Sequence, residues 1–239
     1  MKINILAIGA HPDDVELSCA GTLLVHQKRG FTTGIIDLTR GEMGTRGTPE
    51  TRMKEAAASA KILGLTVREN LGLSDSFFEN NKENQLKLVQ RIREYQPDFV
   101  IGTAVYDRHP DHGRASQLTE QACFLAGLKM VETTSSDGEK QKPWRPKRLF
   151  FAIQSTSLEP DFFVDISDVM EERMESIKAF KSQFYDPNSK EPQTYISRPE
   201  FLDMITSRAQ EYGHRIQVKY AEGFNTKHPL GVKELYHLL

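Results

Sequence analysis

The chain has 239 residues, 38% of them hydrophobic, enough to build one large α/β domain over residues 1–239. Its 31 Lys and Arg against 33 Asp and Glu leave a formal net charge of -2, which gives no electrostatic case for nucleic acid or an anionic membrane and favours a small-molecule partner. With no secretory pattern at the N-terminus, no long apolar run, and two widely spaced cysteines, Cys19 and Cys123, a cytoplasmic enzyme with reduced thiols is expected.

Ile3 to Ile8 reads as a buried strand, and Glu16 to Arg29 as a helix with Gly30 where a C-terminal cap belongs. Thr32 to Thr39 is a second strand, Pro49 to Leu63 a helix stopped by Gly64, and Thr66 to Leu71 a third strand. Leu86, Val89, Ile92 and Tyr95 recur along the next helix, which Pro97 ends before a fourth strand, Asp98 to Thr103. A helix from about Gly113 to Met130, strands near Arg148 to Ile153 and Phe162 to Asp165, and two late helices follow, the first from about Asp168 to Phe184. The turn-rich stretch Tyr185 to Pro199 reads as a mobile surface loop. Alternating strands and helices predict a Rossmann-like α/β fold: a parallel sheet of central order 3-2-1-4-5 with helices on both faces.

Two clusters interrupt this pattern at strand ends. The first strand runs into His11-Pro12-Asp13-Asp14-Val15-Glu16, and the fourth is followed by Asp107-Arg108-His109-Pro110-Asp111-His112. Adjacent carboxylates repel unless a cation or shared proton relieves them. In a doubly wound sheet, ligands gather beyond the carboxyl ends of the central strands, where the predicted order makes strands one and four neighbours. Imidazoles and carboxylates converging there form the inventory of a catalytic metal site with an open position for water. Either cluster alone fits a helix cap or a solvated side chain equally well.

Together AHPDDVE and HPDH resemble the LmbE-like (PIG-L) family of zinc-dependent N-deacetylases, and GEMGTRGTPETR (Gly41 to Arg52) and YAEGF (Tyr220 to Phe224) resemble its N-acetylglucosaminyl-malate branch in bacillithiol synthesis. The resemblance implies His11, Asp14 and His112 as ligands of Zn²⁺ or another divalent transition metal, and Asp13 as general base. A carboxylate outside the metal shell can accept the proton of bound water, so the division of roles is physically coherent. Protonated His109 is expected to stabilise the oxyanion, and Asp111 to orient His109 or a ligand imidazole. Arg46, Arg52 and Arg108 are expected at the rim, where guanidinium forks suit a substrate carboxylate, with Arg52 foremost. Glu16 is either a sugar-hydroxyl acceptor or a first-turn carboxylate complementing a helix dipole. A tyrosine from the late loop covers the oxyanion in some members; Tyr195 or Phe201 would fall in that region here.

A nucleotide-binding Rossmann enzyme is disfavoured because GAHPDD is not GxGxxG and its carboxylates would repel a pyrophosphate. A non-catalytic metal or sugar-binding module would need no base beside the metal. Mycothiol-type and chitobiose-type deacetylases remain substrate rivals, and the family makes a homo-oligomer plausible.

Overall fold

The computed structural model describes residues 1–237. Its sheet has the order β3-β2-β1-β4-β5-β7-β6 among the described residues. The strands are β1 (Ile5–Gly9), β2 (Thr33–Thr39), β3 (Val67–Leu73), β4 (Phe99–Gly102), β5 (Arg148–Ala152), β6 (Phe162–Asp165) and β7 (Ala221–Asn225). The first five are parallel in the predicted order, and β1 pairs with β4 through Ile5–Phe99, Leu6–Val100 and Ala7–Ile101. The sequence reading omitted β7, which inserts antiparallel between β5 and β6. Its AEGF core carries too little apolar alternation to announce a strand.

Strand β1 is buried on both sides, the mark of a central parallel strand. Leu6 and Ile8 pack with α4 (Lys82–Tyr95) and α5 (Pro110–Ala126), while Ile5 and Ala7 face the cluster that includes α2 (Ala20–Lys28) and α6 (Met170–Lys178). The predicted helix from Glu16 is two helices, α1 (Asp14–Ser18) and α2, broken at Cys19. In α4 the core stripe is Leu88, Val89, Ile92 and Tyr95, whereas Leu86 is only half-buried. Helix α6 stops at Lys178, although Phe180 and Phe184 beyond it remain buried.

Caps place the remaining ends. Thr48 accepts from Thr51 N at the start of α3 (Pro49–Ile62), and Asn81 caps α4 in the same way. Helix α5 begins at Pro110 rather than near Gly113, because His109 serves as its N-cap and Pro110 suits the first helical position. That shift puts His112 in the first turn, at the end of β4. Tyr185 to Pro199 folds back over α7 (Phe201–Arg215), with Ser197 buried and Tyr195 in edge-to-face contact with Phe201.

Candidate active site

The two clusters meet at the carboxyl ends of β1 and β4, around a cavity of about 320 Å³ lined by His11, Asp13, Asp14, His109 and His112 among others. Each of the two deeper imidazoles is gripped by carboxylates through one nitrogen. His11 Nε2 lies 3.0 Å from Asp75 Oδ1 and 3.2 Å from Asp111 Oδ2. His112 Nδ1 lies 2.5 Å from Asp107 Oδ2, whose other oxygen accepts from Thr156 N. The opposite nitrogens face Asp14: His11 Nδ1 at 3.4 Å from Oδ2, and His112 Nε2 at 3.1 Å from Oδ1. His11 N and Gln154 Nε2 each donate to one of these Asp14 oxygens and fix the carboxylate's plane.

This arrangement fits a divalent metal. Two imidazole nitrogens and a carboxylate converge, and partners outside fix which ring nitrogen is free to bind, the usual support for a metal-ligating histidine. Nitrogens of His11, His109 and His112 also lie within 4.8 Å of one another. His109 is the weaker third ligand, because its Nδ1 accepts from Asp111 N at 3.3 Å in capping α5, whereas Asp14 spans both imidazoles.

Electrostatics follow from burial and pairing. Burial alone would raise Asp14, but His112 and His11 hold it well below the usual carboxylate range. Burial opposes protonation of His112, yet Asp14 and Asp107 raise it to about 9. Burial pushes Asp13 up to about 7 against the pull of Arg52, the ordering expected of a proton acceptor beside a neighbour kept ionised. Asp13 has φ 114°, a left-handed conformation costly for a residue with a Cβ, and Arg52 Nη2 lies 3.1 Å from its Oδ2 while donating to Pro12 O. His109 is lowered by burial and then by the neighbouring imidazoles, so the expected imidazolium is not favoured. With Nδ1 accepting, neutral His109 carries its proton on Nε2 and remains a donor.

The structure redraws several substrate expectations. Glu16 is fully buried, accepts from Ser59 Oγ and Arg68 Nη1 at 2.5 Å each, and does not line the cavity, so it is no sugar-hydroxyl acceptor. Arg46 lines the wall, but its guanidinium donates to the carbonyls of Ser182, Phe184 and Pro192 and to Ser189 Oγ; it ties down the late loop instead of offering a free fork. Arg52 is likewise buried and engaged with Pro12 and Asp13. Arg108 is the exposed cation of the three, stacked 4.3 Å over the Tyr195 ring, with no ion pair among the described residues. Tyr195 and Phe201 both line the cavity, and the Tyr195 hydroxyl points toward Met204 Sδ at 3.8 Å. Asp111 sits on His11, one of the options its spacing left open. Asp75, Asp107 and Gln154 were assigned no role from sequence, although each follows a strand and the strand-end rule reaches them.

The sequence profile of the PIG-L family (GlcNAc-PI de-N-acetylase) matches residues 6–123, from β1 into α5. An uncharacterized deacetylase of Escherichia coli K12 is 34% identical over 126 residues, covering 50% of this chain and 68% of that protein. The chain belongs to the PIG-L family of de-N-acetylases. A conserved protein from Thermus thermophilus superposes with a TM-score of 0.86 at 36% identity, covering 98% of both chains. Diacetylchitobiose deacetylase of Thermococcus kodakarensis is 29% identical (76% of this chain, 70% of its own). A probable N-acetyl-alpha-D-glucosaminyl L-malate deacetylase 2 of Bacillus subtilis is 25% identical (77% and 84%). A 4-oxalmesaconate hydratase of Pseudomonas putida is 26% identical (75% and 74%). Among the described residues no helix is long and apolar enough to cross a membrane.

Proposed function

We propose that this PIG-L member removes the acetyl group from an N-acetylglucosaminyl conjugate, with His11, Asp14 and His112 holding a zinc ion and Asp13 acting as general base. The observation that carries this reading is Asp13 itself: a buried carboxylate on the cavity wall, next to Asp14 in the chain, with no hydrogen bond to its Oδ2. When bound, the metal acidifies water and polarises the acetyl carbonyl. Asp13 takes a proton from the attacking water at its carboxylate and returns it to the nitrogen as the C–N bond breaks, giving acetate and a free amine. His109 donates its Nε2 proton in a hydrogen bond to the acetyl oxygen as charge develops there. Arg52 holds Asp13 in its left-handed conformation.

The conjugate we favour is N-acetyl-alpha-D-glucosaminyl L-malate. Arg108 supports it, because an exposed guanidinium at the cavity with no ion pair among the described residues suits a carboxylate. The test is to incubate zinc-loaded protein with the malate, inositol and chitobiose N-acetylglucosaminyl compounds and to quantify acetate and free amine. The expectation is equimolar products and the highest kcat/KM for the malate conjugate. Faster turnover of another conjugate overturns the choice of aglycone; no acetate from any, with hydration of an unsaturated dicarboxylic acid instead, overturns the deacetylase reading.

A further inference from the structure

Asp75 follows β3 in a tight turn, where Phe77 N and Phe78 N both donate to Ser74 O and Ser76 takes a φ of 64°. Its carboxylate is 4% exposed and divides its oxygens. Oδ2 accepts from Met43 N at 2.8 Å, while the Asp75 backbone N donates to Glu42 Oε1 at 2.9 Å. Both contacts lie in the turn after β2 that supplies Met43, Gly44 and Thr45 to the cavity wall. Oδ1 is buried, makes no hydrogen bond in this geometry, and lies 3.0 Å from His11 Nε2.

The same His11 nitrogen faces Asp111, but the two carboxylates are differently placed. Asp111 is itself braced by Ser76 N at 3.0 Å and faces Arg114 Nη2 at 3.1 Å. What Asp75 Oδ1 faces is the His11 ring. A carboxylate only accepts, so a ring nitrogen facing two of them must carry the proton. We infer that Asp75 is a positioning residue, which together with Asp111 keeps the His11 proton on Nε2, leaves Nδ1 free toward Asp14, and ties the ring to the cavity-wall turn through Met43. The inference rests on His11 being a metal ligand, as proposed above. An asparagine at this position keeps the shape and loses the function. With its carbonyl on Met43 N, its amide group would meet His11 Nε2–H donor to donor, and the ring must swing or shift its proton to the nitrogen the metal needs.

The experiment is zinc affinity by chelator competition for the full chain, Asp75→Asn and His11→Ala, with ring-nitrogen NMR of the histidine-labelled, zinc-loaded protein. Loss of such a partner weakens metal binding by about ten- to a hundredfold, and Asp75→Asn should do so while His11→Ala weakens it at least as much. The His11 ring resonances should show the Nε2-protonated tautomer in the parent protein and move in Asp75→Asn, which a merely structural turn residue would not cause. Unchanged zinc affinity in Asp75→Asn with a weakened His11→Ala overturns the role of Asp75 alone. Unchanged affinity in both variants overturns the metal reading beneath it. Loss of one of two zinc equivalents in Asp75→Asn also overturns it, by making Asp75 a ligand. If Asp75→Asn does not fold, the parent spectrum decides: a proton on His11 Nδ1 refutes the inference and one on Nε2 supports it.

Discussion

Replacing Arg52 with alanine separates two roles for the same guanidinium. As a substrate fork, Arg52 would matter for a conjugate bearing carboxylates and little for one without them. The structure gives it a different role, for it is 5% exposed, donates to Pro12 O and sits 3.1 Å from Asp13 Oδ2. Gly41 leaves room for it, since a Cβ there would lie 2.0 Å from Arg52 Nη1. Removing one member of a buried ion pair costs about 3 to 5 kcal/mol, and for a domain of this size that lowers Tm by roughly 6 to 20 °C. For activity, losing the charge-assisted hydrogen bond to Pro12 O, about 1.5 to 3 kcal/mol spent on holding the backbone beside the base, reduces kcat/KM by roughly ten- to 150-fold. The reduction should be the same for the malate conjugate and for diacetylchitobiose, because both need Asp13. Steady-state kinetics on the two substrates, with a thermal melt of each protein, make the comparison. A loss confined to the malate conjugate, with Tm unchanged, would refute the reasoning and return Arg52 to the substrate.

Asp13→Asn should retain zinc by metal analysis after mild chelation and lose at least about a hundredfold in turnover; near-normal turnover would mean that another group takes the proton. Arg46→Ala frees the carbonyls of Ser182, Phe184 and Pro192, so trypsin should cut faster at Lys190, and an unchanged digestion pattern would contradict the tether. Cys19 and Cys123 are both buried, and burial raises both thiols, Cys123 to about 12, so a thiol reagent at pH 8 should label neither until the protein is denatured.

The sheet order and the meeting of the two histidine motifs were legible because both rest on strong local signals: apolar strands, capped helices and charged residues at strand ends. The direction of the arginines was not. Arg46 and Arg52 stand in a polar, glycine-rich segment that suggests an exposed rim, yet both turn inward onto backbone carbonyls. Every residue offers a carbonyl, so such partners leave no mark in the sequence, whereas a carboxylate partner at least has a name. Glu16 illustrates the converse, since Ser59 and Arg68, which hold it, come from elements whose packing on α1 is a tertiary fact. Asp75 was hidden for the same reason: its importance lies in His11, which follows a strand two places away in the sheet.

Helix α1 carries Asp14 yet has only five residues, too few to be stable alone. Its stability must come from outside, and the late part of the chain supplies it. Arg173 of α6 and Arg208 of α7 both donate to Leu17 O, at 2.9 and 3.2 Å, closing the C-terminal end of α1. Glu222 of β7 then accepts from Gly21 N, Thr22 N and Thr22 Oγ1, satisfying the donors exposed where α2 restarts after Cys19, and pairs with Arg173 at 2.8 Å. Gly21 is the residue that lets the carboxylate approach, since a Cβ there would come within 2.9 Å of Glu222 Oε1. The YAEGF segment, read from sequence only as a mark of resemblance, therefore has a mechanical role. The strand absent from the sequence reading is the one that delivers Glu222, and through Arg173 and Leu17 it fixes the short helix from which Asp13 and Asp14 enter the cavity.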